Sequence, residues 1–253
     1  MLLTLLIQSN PIRMYSFRSF VTSLLFLALL PVSLMAQIGA PRHSIAVGVT
    51  GGVALNTIGF DPTVKQFQHI GSTFGVVARF TSEKYFKSYC AFQVELNYSN
   101  LGWRENVLNA QSKPLPDTYR RDQHYLHLPL LARLAWGREH RGVMGYVLAG
   151  PQVGICFKEK VTQSDFTLNA EGNPDRPNGM FAQYDMPIEH KFDYGITAGA
   201  GLEINTKVGH FLVEGRYYYG LSDIYGNSKK DVFGRSNNGT IIAKITYLFD
   251  IRK

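Results

Sequence analysis

Hydrophobic and polar residues alternate with a period of two along most of the chain after residue 40. In residues 192–204, FDYGITAGAGLEI, one face is apolar and begins with Phe192, Tyr194 and Ile196, whereas Asp193 and Thr197 lie on the other face. A period of two is the spacing of side chains on the two faces of a β-strand. The alternation runs well beyond the roughly five or six residues of a common strand. This segment therefore predicts a long strand.

Similar segments recur along the chain and predict eight strands, at residues 43–55, 71–81, 88–100, 123–136, 143–157, 190–204, 208–220 and 239–251. The long connections are residues 56–70, 101–122, 158–189 and 221–238, and the connections between them are short turns. Long loops at one end and tight turns at the other are typical of outer-membrane barrels. The pattern predicts an all-β fold, an eight-stranded antiparallel transmembrane β-barrel of the outer-membrane type, with periplasmic termini.

Residues 125–136, YLHLPLLARLAW, illustrate the two faces of one predicted strand. Leu126, Leu128 and Leu130 belong to a wholly apolar face, while His127 and Arg133 belong to a mixed face. The stretch is too short for a membrane helix, which needs about 20 apolar residues. Its proline, at position 129, cannot donate to the strand ladder, so we expect a bulge or one lost hydrogen bond there.

Aromatic residues on the apolar faces fall at the two ends of the predicted strands. Outer-membrane barrels carry such girdles at both membrane interfaces. A soluble lipocalin-like barrel is the alternative, with the apolar face turned inward. The residues predicted for the girdles are Tyr98, Phe192, Tyr194, Tyr217 and Tyr219 at the outer end and Phe80, Trp136, Tyr247 and Phe249 at the inner end.

The N-terminal residues resemble a secretory signal peptide. Arg18 precedes an apolar stretch that ends at Ala36, and cleavage is expected between Ala36 and Gln37. Met14 is a plausible true start. The sequence thus predicts a signal peptide over residues 1–36 and a barrel domain over residues 37–253, with an N-terminal membrane anchor as the alternative reading.

Charge and cysteine content narrow the functional classes. The formal net charge is +7, but the basic residues are scattered and form no run with interleaved aromatics, so we expect no nucleic-acid partner. The two cysteines, Cys90 and Cys156, are predicted at opposite ends of the barrel and should be free thiols. No metal-ligand spacing is present, and we expect no metal and no cofactor.

The mixed faces of the strands place charges inside the predicted barrel. An eight-stranded barrel has an interior that side chains fill, so charges of both signs should pair there rather than line a channel. An ion path is the functional alternative. The predicted lumen charge network consists of Arg79, Glu95, Arg133, Glu203, Glu214, Arg216 and Lys244.

Candidate chemistry outside the lumen is limited to one cluster. Asp122, His124 and His127 are predicted near the outer end of one strand, where a histidine beside a carboxylate could serve acid–base catalysis. No nucleophile elbow accompanies them, and polar residues at a barrel rim are the simpler interpretation. We therefore expect no enzymatic activity. Residues 158–189, rich in turn formers, are either a flexible loop or a partner-binding surface.

The order of several motifs resembles the PorT-like family of small outer-membrane β-barrels. The motifs are YLHLPLLARLAW, VMGYVLAGPQVGI, DYGITAGAGLEI and VEGRYYYGLSDI, followed by a closing alternating strand. The resemblance implies insertion into outer-membrane lipid by the β-barrel assembly machinery. The family's named member is an accessory of the type IX secretion system, so secretion-system proteins are implied partners. Three hypotheses remain: a non-catalytic barrel for secretion or envelope biogenesis, a small pore, or an outer-membrane enzyme with a site at the extracellular rim.

Overall fold

The computed structural model describes residues 40–85, 87–138, 142–228 and 231–252. The predicted signal peptide and its cleavage point between Ala36 and Gln37 lie outside these residues. Two short 3-10 helices, Pro177–Gly179 and Ala182–Tyr184, precede the seventh strand. Within the described ranges, no helix is long and apolar enough to cross a membrane. The strands are β1 (Ala40–Asp61), β2 (Gln66–Phe67), β3 (His69–Tyr85), β4 (Ser88–Glu105), β5 (Tyr119–Gly137), β6 (Gly142–Gln163), β7 (Phe192–Asn205), β8 (His210–Asp223) and β9 (Arg235–Arg252).

The eight long strands form one closed antiparallel ring. Each long strand pairs with the next along the chain, and β9 pairs with β1 to close the barrel. The two-residue strand β2 adds to the end of β4, where Gln66 pairs with Glu105. Closure leaves no long strand with an unpaired edge, which is the condition for a sheet to span hydrocarbon. The predicted eight-stranded antiparallel barrel is confirmed.

The strands are longer than the sequence pattern predicted. Both β1 and β6 contain 22 residues, so the long connections shrink to residues 62–68, 106–118, 164–191 and 224–234. The predicted strands were ended where the apolar face ended. Backbone pairing does not require an apolar face, and the ladder continues past the hydrophobic belt with polar side chains on its outer face. The barrel wall therefore rises above the belt at the long-loop end.

Apolar residues cover the outside of the barrel and polar residues fill the inside. Val213 is 58% exposed and its neighbour Glu214 only 4%, and Ile245 is 65% exposed beside Lys244 at 2%. A soluble barrel would have the reverse arrangement, because exposed apolar surface in water is unfavourable. The distribution is that of a barrel whose solvent is lipid, which excludes the lipocalin-like alternative.

Aromatic residues predicted for the girdles lie on this outer surface. Exposed aromatic residues on the outer surface near the long-loop end include Phe192, Tyr194, Tyr217 and Tyr219, and near the short-turn end Phe80, Trp136 and Phe249. Tyr98 and Tyr247 are partly exposed. The aromatic residues thus mark both margins of the apolar belt.

Pro129 and the two cysteines behave as their positions suggested. The ladder between β4 and β5 pairs His127 with Asn97 and next Leu130 with Val94, so it skips Pro129 and its neighbour. The bulge in the β5–β6 ladder lies elsewhere and belongs to β6, where Phe157 is the extra residue between the partners of His124 and Tyr125. Both cysteines are free thiols, as predicted.

Candidate functional site: the barrel lumen and its outer cap

The lumen is filled by side chains from all eight long strands. Toward the short-turn end, a cluster of buried apolar residues contains Leu131 and Leu212, each fully buried. The lumen therefore resembles a packed protein core at this level rather than a wetted channel. The other members of the cluster are Ala46, Val77, Tyr89, Ala135, Met144, Tyr146, Leu148 and Leu248.

All seven residues of the predicted lumen charge network point inward and are buried. Glu203 is the centre of one group. Arg79 donates from Nη1 to Glu203 Oε2 at 2.8 Å, and Arg133 donates to the same oxygen through Nη2. His210 Nδ1 lies 2.9 Å from the second oxygen, Oε1. One carboxylate thus faces two guanidinium groups and an imidazole.

Glu95 is the centre of a second group. Lys244 Nζ donates to Glu95 Oε2 at 2.7 Å, and Arg216 Nη1 donates to the same oxygen at 3.0 Å. Arg216 also reaches Glu214, with 2.6 Å between Nη2 and Oε1. Each buried charge here faces an opposite charge, which offsets the free energy of removing it from water.

The two groups are joined through Tyr146. The guanidinium of Arg133 lies 4.0 Å from the centre of the Tyr146 ring, and the Tyr146 hydroxyl donates to Glu214 at 2.8 Å. The seven charged residues and Tyr146 therefore form one connected structure, which we call the plug. Its members come from β3, β4, β5, β6, β7, β8 and β9.

Two opposite charges on neighbouring strands of the plug do not bridge each other. Glu214 and Lys244 are register partners on β8 and β9, so the ladder alone would predict that they pair. Lys244 instead extends to Glu95 on the facing wall. Glu214 already forms an ion pair with Arg216 and accepts a hydrogen bond from the Tyr146 hydroxyl, and the ammonium of Lys244 contacts its carboxylate partner across the lumen.

A second structure closes the long-loop end. Residues 176–190, together with Tyr225 and Phe233 from the β8–β9 connection, pack onto inward-facing residues at the outer ends of the strands. We call this structure the cap. Phe60 packs edge-on against Trp103, with ring centres 5.4 Å apart, and against Phe233 at 5.0 Å. These side chains form an apolar core across the mouth of the barrel at its long-loop end.

A buried arginine from β5 ties the cap to the barrel wall. Arg121 is 2% exposed. Its Nη1 donates to the backbone oxygen of Met186 at 2.7 Å and to the Tyr225 hydroxyl at 3.0 Å. Its guanidinium also lies 5.2 Å from the Trp103 ring centre. One side chain thereby connects two loops and two strands.

A second buried arginine, Arg176, holds the cap from the loop side. Its Nε donates to the Tyr184 hydroxyl at 2.6 Å, and that hydroxyl donates to Glu105 at 2.8 Å. Burial, together with the Glu105 carboxylate, raises the pKa of Tyr184 well above its ordinary value. The hydroxyl therefore remains a donor at every physiological pH.

Asp117 is the charged partner of Arg176. Arg176 Nη2 donates to Asp117 Oδ2 at 3.1 Å, and Thr167 donates to the carboxylate from its backbone N–H at 2.9 Å and from its hydroxyl at 2.8 Å. Burial favours the neutral acid, but the Thr167 hydrogen bonds and the Arg176 charge outweigh it and hold the pKa of Asp117 below its usual value.

The three residues considered for acid–base chemistry do not converge. His124 faces outward, where its Nδ1 lies 2.7 Å from the Tyr98 hydroxyl. His127 faces the lumen, 3.8 Å from Asp193. Asp122 is occupied by Arg120, whose Nη2 donates at 2.7 Å. Asp122 and His124 share the outward face of β5 but contact different partners, whereas His127 lies on the opposite, lumen-facing side, so the three side chains do not form one site.

The residues of the cap were not predicted from the sequence. Arg121 and Asp117 lie in a segment assigned to a loop, and Arg176 lies in the turn-rich stretch EGNPDRPNG. The one available signal was the aromatic content of the predicted loops, which include Trp103, Tyr119, Tyr184, Tyr225 and Phe233. Large aromatic residues are uncommon in solvated loops, because they lose more by exposure than other residues.

The fold and its filled lumen define a small transmembrane β-barrel with an occluded interior. The family described as outer membrane protein beta-barrel domain matches residues 35–226, and the chain belongs to this family. Membership places the protein in the outer membrane. The match ends before β9, the strand that closes the ring in this structure.

Comparisons with solved structures return other small outer-membrane proteins. The chain is 14% identical to Ail, the attachment invasion locus protein of Yersinia pestis, over 82% of this chain and all of that one, with a TM-score of 0.35. It is 11% identical to Neisserial surface protein A over 81% and 97% of the two chains, with a TM-score of 0.37. It is 13% identical to OprG from Pseudomonas aeruginosa over 85% and 99%, with a TM-score of 0.38. No curated protein matches the sequence.

Proposed function

We propose that the protein is a non-conducting accessory barrel that serves protein secretion of the type IX kind or envelope biogenesis through its rims. The observation that carries the proposal is the double closure of the lumen. The plug fills the barrel at one level and the cap covers its outer mouth at another. A protein that moves solutes needs a continuous path, and a path here would have to break both structures.

The secretion role is supported by the motif order that resembles the PorT-like family. We also propose that the long connections face the exterior and that both termini lie in the periplasm, because this is the arrangement of long loops and short turns in outer-membrane barrels. Interaction with secretion-system proteins and insertion by the barrel assembly machinery follow from the same proposal. A small pore is the second candidate function. The lipid-facing wall of the barrel is compatible with a pore, whereas the filled lumen is not.

Planar-bilayer recording separates the first two candidates. Purified mature protein should show no steady, large single-channel steps. Steady steps whose ion selectivity changes in Glu214→Ala would contradict a closed lumen and would move the pore hypothesis to first place.

A gene-deletion strain tests the role in secretion. Cargo of the type IX system should accumulate in its periplasm, whereas normal secretion with reduced uptake of small solutes would contradict the accessory role.

The proposal excludes catalysis at the outer rim. Single replacements of the three candidate residues, Asp122→Asn, His124→Gln and His127→Gln, should each restore secretion to the deletion strain as well as the unaltered gene does. Loss of complementation by any of them, at normal protein levels in the membrane, would return the enzyme hypothesis.

Orientation is tested by labelling intact cells. Asn173→Cys lies in the exposed β6–β7 connection and Lys207→Cys in the exposed turn between β7 and β8. A membrane-impermeant maleimide should label the first and not the second. The reverse pattern would invert the topology.

A further inference from the structure

Positive charge on the outer surface of the barrel is concentrated on three adjacent strands. Arg104 on β4, Arg120 on β5, and Lys158 and Lys160 on β6 are all exposed. Arg104 and Arg120 are register partners. Lys158 and Lys160 are partners of His124 and Asp122, on the same outward face of β5 as Arg120. We call these four residues the basic patch.

A β-bulge in β6 turns the two lysines outward. Tyr125 pairs with Cys156, and the next pair along the ladder is His124 with Lys158, so Phe157 has no partner on β5. Phe157 and Lys158 therefore both lie on the outer face, and Phe157 is 58% exposed. Glu159 then points inward, where its carboxylate lies 3.6 Å from Arg121 Nη1. Without the extra residue, Lys158 and Lys160 would point into the barrel.

An aromatic strip lies directly below the patch. Tyr98 packs against Phe74 with ring centres 4.8 Å apart, and against Phe157 at 6.2 Å. All three are on the outer surface, at the long-loop margin of the apolar belt. Aromatic residues at this level mark the boundary between acyl chains and headgroups. The basic patch above them therefore lies at the height of the lipid phosphates.

The carboxylate of Asp122, which lies beside the basic patch, already has a cationic partner. Asp122 Oδ1 accepts from Arg120 Nε at 3.0 Å and from Nη2 at 2.7 Å, and it lies 3.4 Å from His69 Nε2. The other cations of the patch, Arg104 and the two lysines, retain their charge for an outside partner. Arg104 is positioned by stacking on Phe67, 4.9 Å from the ring centre.

Among the described residues at the strand ends, the rest of this rim has no comparable cluster of positive charge. The corresponding ends of β1, β8 and β9 carry Asp61, Asp223 and Arg235, which leave no surplus of positive charge. Of these, Asp61 and Arg235 are register partners. The outward residues at the ends of β3 and β7 are uncharged: Ile70, Ser72 and Phe192. A general attraction to the membrane surface would be spread around the rim. Among the described strand ends the positive charge is instead concentrated on one face, apart from the exposed Lys191 directly before β7.

We propose that the basic patch, with the aromatic strip below it, binds the phosphate groups of the glycolipid that forms the outer leaflet, the lipid A part of lipopolysaccharide. Arginine and lysine are the natural partners of phosphate oxygens. The acyl chains of the same lipid would lie along Tyr98, Phe74 and Phe157. The inference goes beyond the proposed function and rests only on the proposed orientation, with the long loops outside.

Binding of diphosphoryl lipid A to the purified mature protein in detergent micelles tests this proposal. Each cation near an anionic lipid surface contributes about fivefold to affinity, so Lys158→Gln/Lys160→Gln should weaken binding roughly 25-fold. Arg104→Gln alone should weaken it about fivefold. The control Lys87→Gln/Lys207→Gln removes the same charge at the short-turn end and should leave binding unchanged.

Three results would overturn the proposal. One is equal binding of lipid A by the patch variants and the unaltered protein. The second is equal binding of dephosphorylated lipid A, which would assign the affinity to the acyl chains. The third is competition by phosphatidylglycerol at the same concentration, which would make the patch a general anionic-lipid surface. Labelling of Lys207→Cys rather than Asn173→Cys on intact cells would remove the outer-leaflet assignment while leaving the secretion assay to judge the proposed function.

Discussion

The plug and the cap both close the same barrel, but they do so with opposite chemistry. The plug consists of charged side chains on regular strands, each facing an opposite charge inside the ring. The cap consists of loop residues whose aromatic side chains pack against aromatic residues at the outer ends of the strands, and it is held by Arg121 and Arg176. Removal of a plug residue should leave buried charges without partners in the middle of the fold. Removal of a cap residue should loosen the loops without breaking the strand ladder. The same lumen therefore contains one structure that should stabilise the whole barrel, the plug, and one that should stabilise only the long-loop end, the cap.

The largest effect is expected in the plug. Glu95→Ala leaves Arg216 and Lys244 without the carboxylate they share, and breaking a buried ion pair costs about 3–5 kcal/mol. The free energy of unfolding in urea, followed by the gel mobility of the folded barrel, should fall by this amount. Leu96→Ala, on the adjacent lipid-facing position, is the matched control. The double variant Glu95→Leu/Lys244→Met should recover part of the loss. A Glu95→Ala barrel as stable as the unaltered one would show that the plug contributes little.

Arginine substitutions at two leucines of β5 test whether the lumen near the plug is packed or contains water. Leu131 and Leu128 lie on opposite faces of β5, the first fully buried and the second exposed to lipid. Leu128→Arg should destabilise the barrel by about 2–4 kcal/mol, the cost of arginine in the lipid-facing belt. A polar lumen would tolerate an inward arginine better than the lipid-facing belt does. Leu131, however, lies in a packed apolar cluster, so Leu131→Arg should be at least as damaging. A mild Leu131→Arg phenotype would indicate water in the lumen.

A smaller and local effect is expected in the cap. Arg176→Met removes the donors to Asp117 and Tyr184, and leaving such buried groups without partners costs about 1–3 kcal/mol. The loss should open the cap without lowering the urea midpoint of the barrel. Trp103 reports on this directly in a Trp136→Phe background, because the chain has two tryptophans. Its emission should shift to the red in Arg176→Met and not in the exposed control Lys113→Met. A parallel fall in barrel stability would make cap and plug one cooperative unit.

The smallest effect is a pH dependence of the cap. The folded-state pKa of Asp117 is lowered, so its contribution is present above its unfolded pKa and is lost as pH falls through the lower folded value. Trp103 emission should therefore shift to the red only below about pH 4, near the ordinary range of an aspartic acid. In Asp117→Asn the shift should be present already at neutral pH. An acid transition that survives in Asp117→Asn would assign it to another group.

The sequence by itself determined the wall of the barrel and the seven charged residues of the plug, although not Tyr146. Alternation in single strands decided which residues face lipid and which face the lumen, so Glu95, Arg133 and Lys244 could be assigned inward without any tertiary information. Strand number and the side of the long connections followed from the spacing of the same pattern. These properties are local, because the period of two is built into each extended backbone.

Only the tertiary structure decided which groups meet. Lys244 contacts Glu95, 149 positions away, rather than its register partner Glu214, because the choice depends on how facing walls of the closed ring approach each other. The bulge at Phe157 inverted the faces of the residues that follow it, and a strict alternation cannot foresee one inserted residue. The cap is the clearest case. Asp117 and Arg121 come from one segment, and their partners Arg176 and Tyr225 come from two others. These segments meet only after closure of the barrel brings its long connections to one mouth.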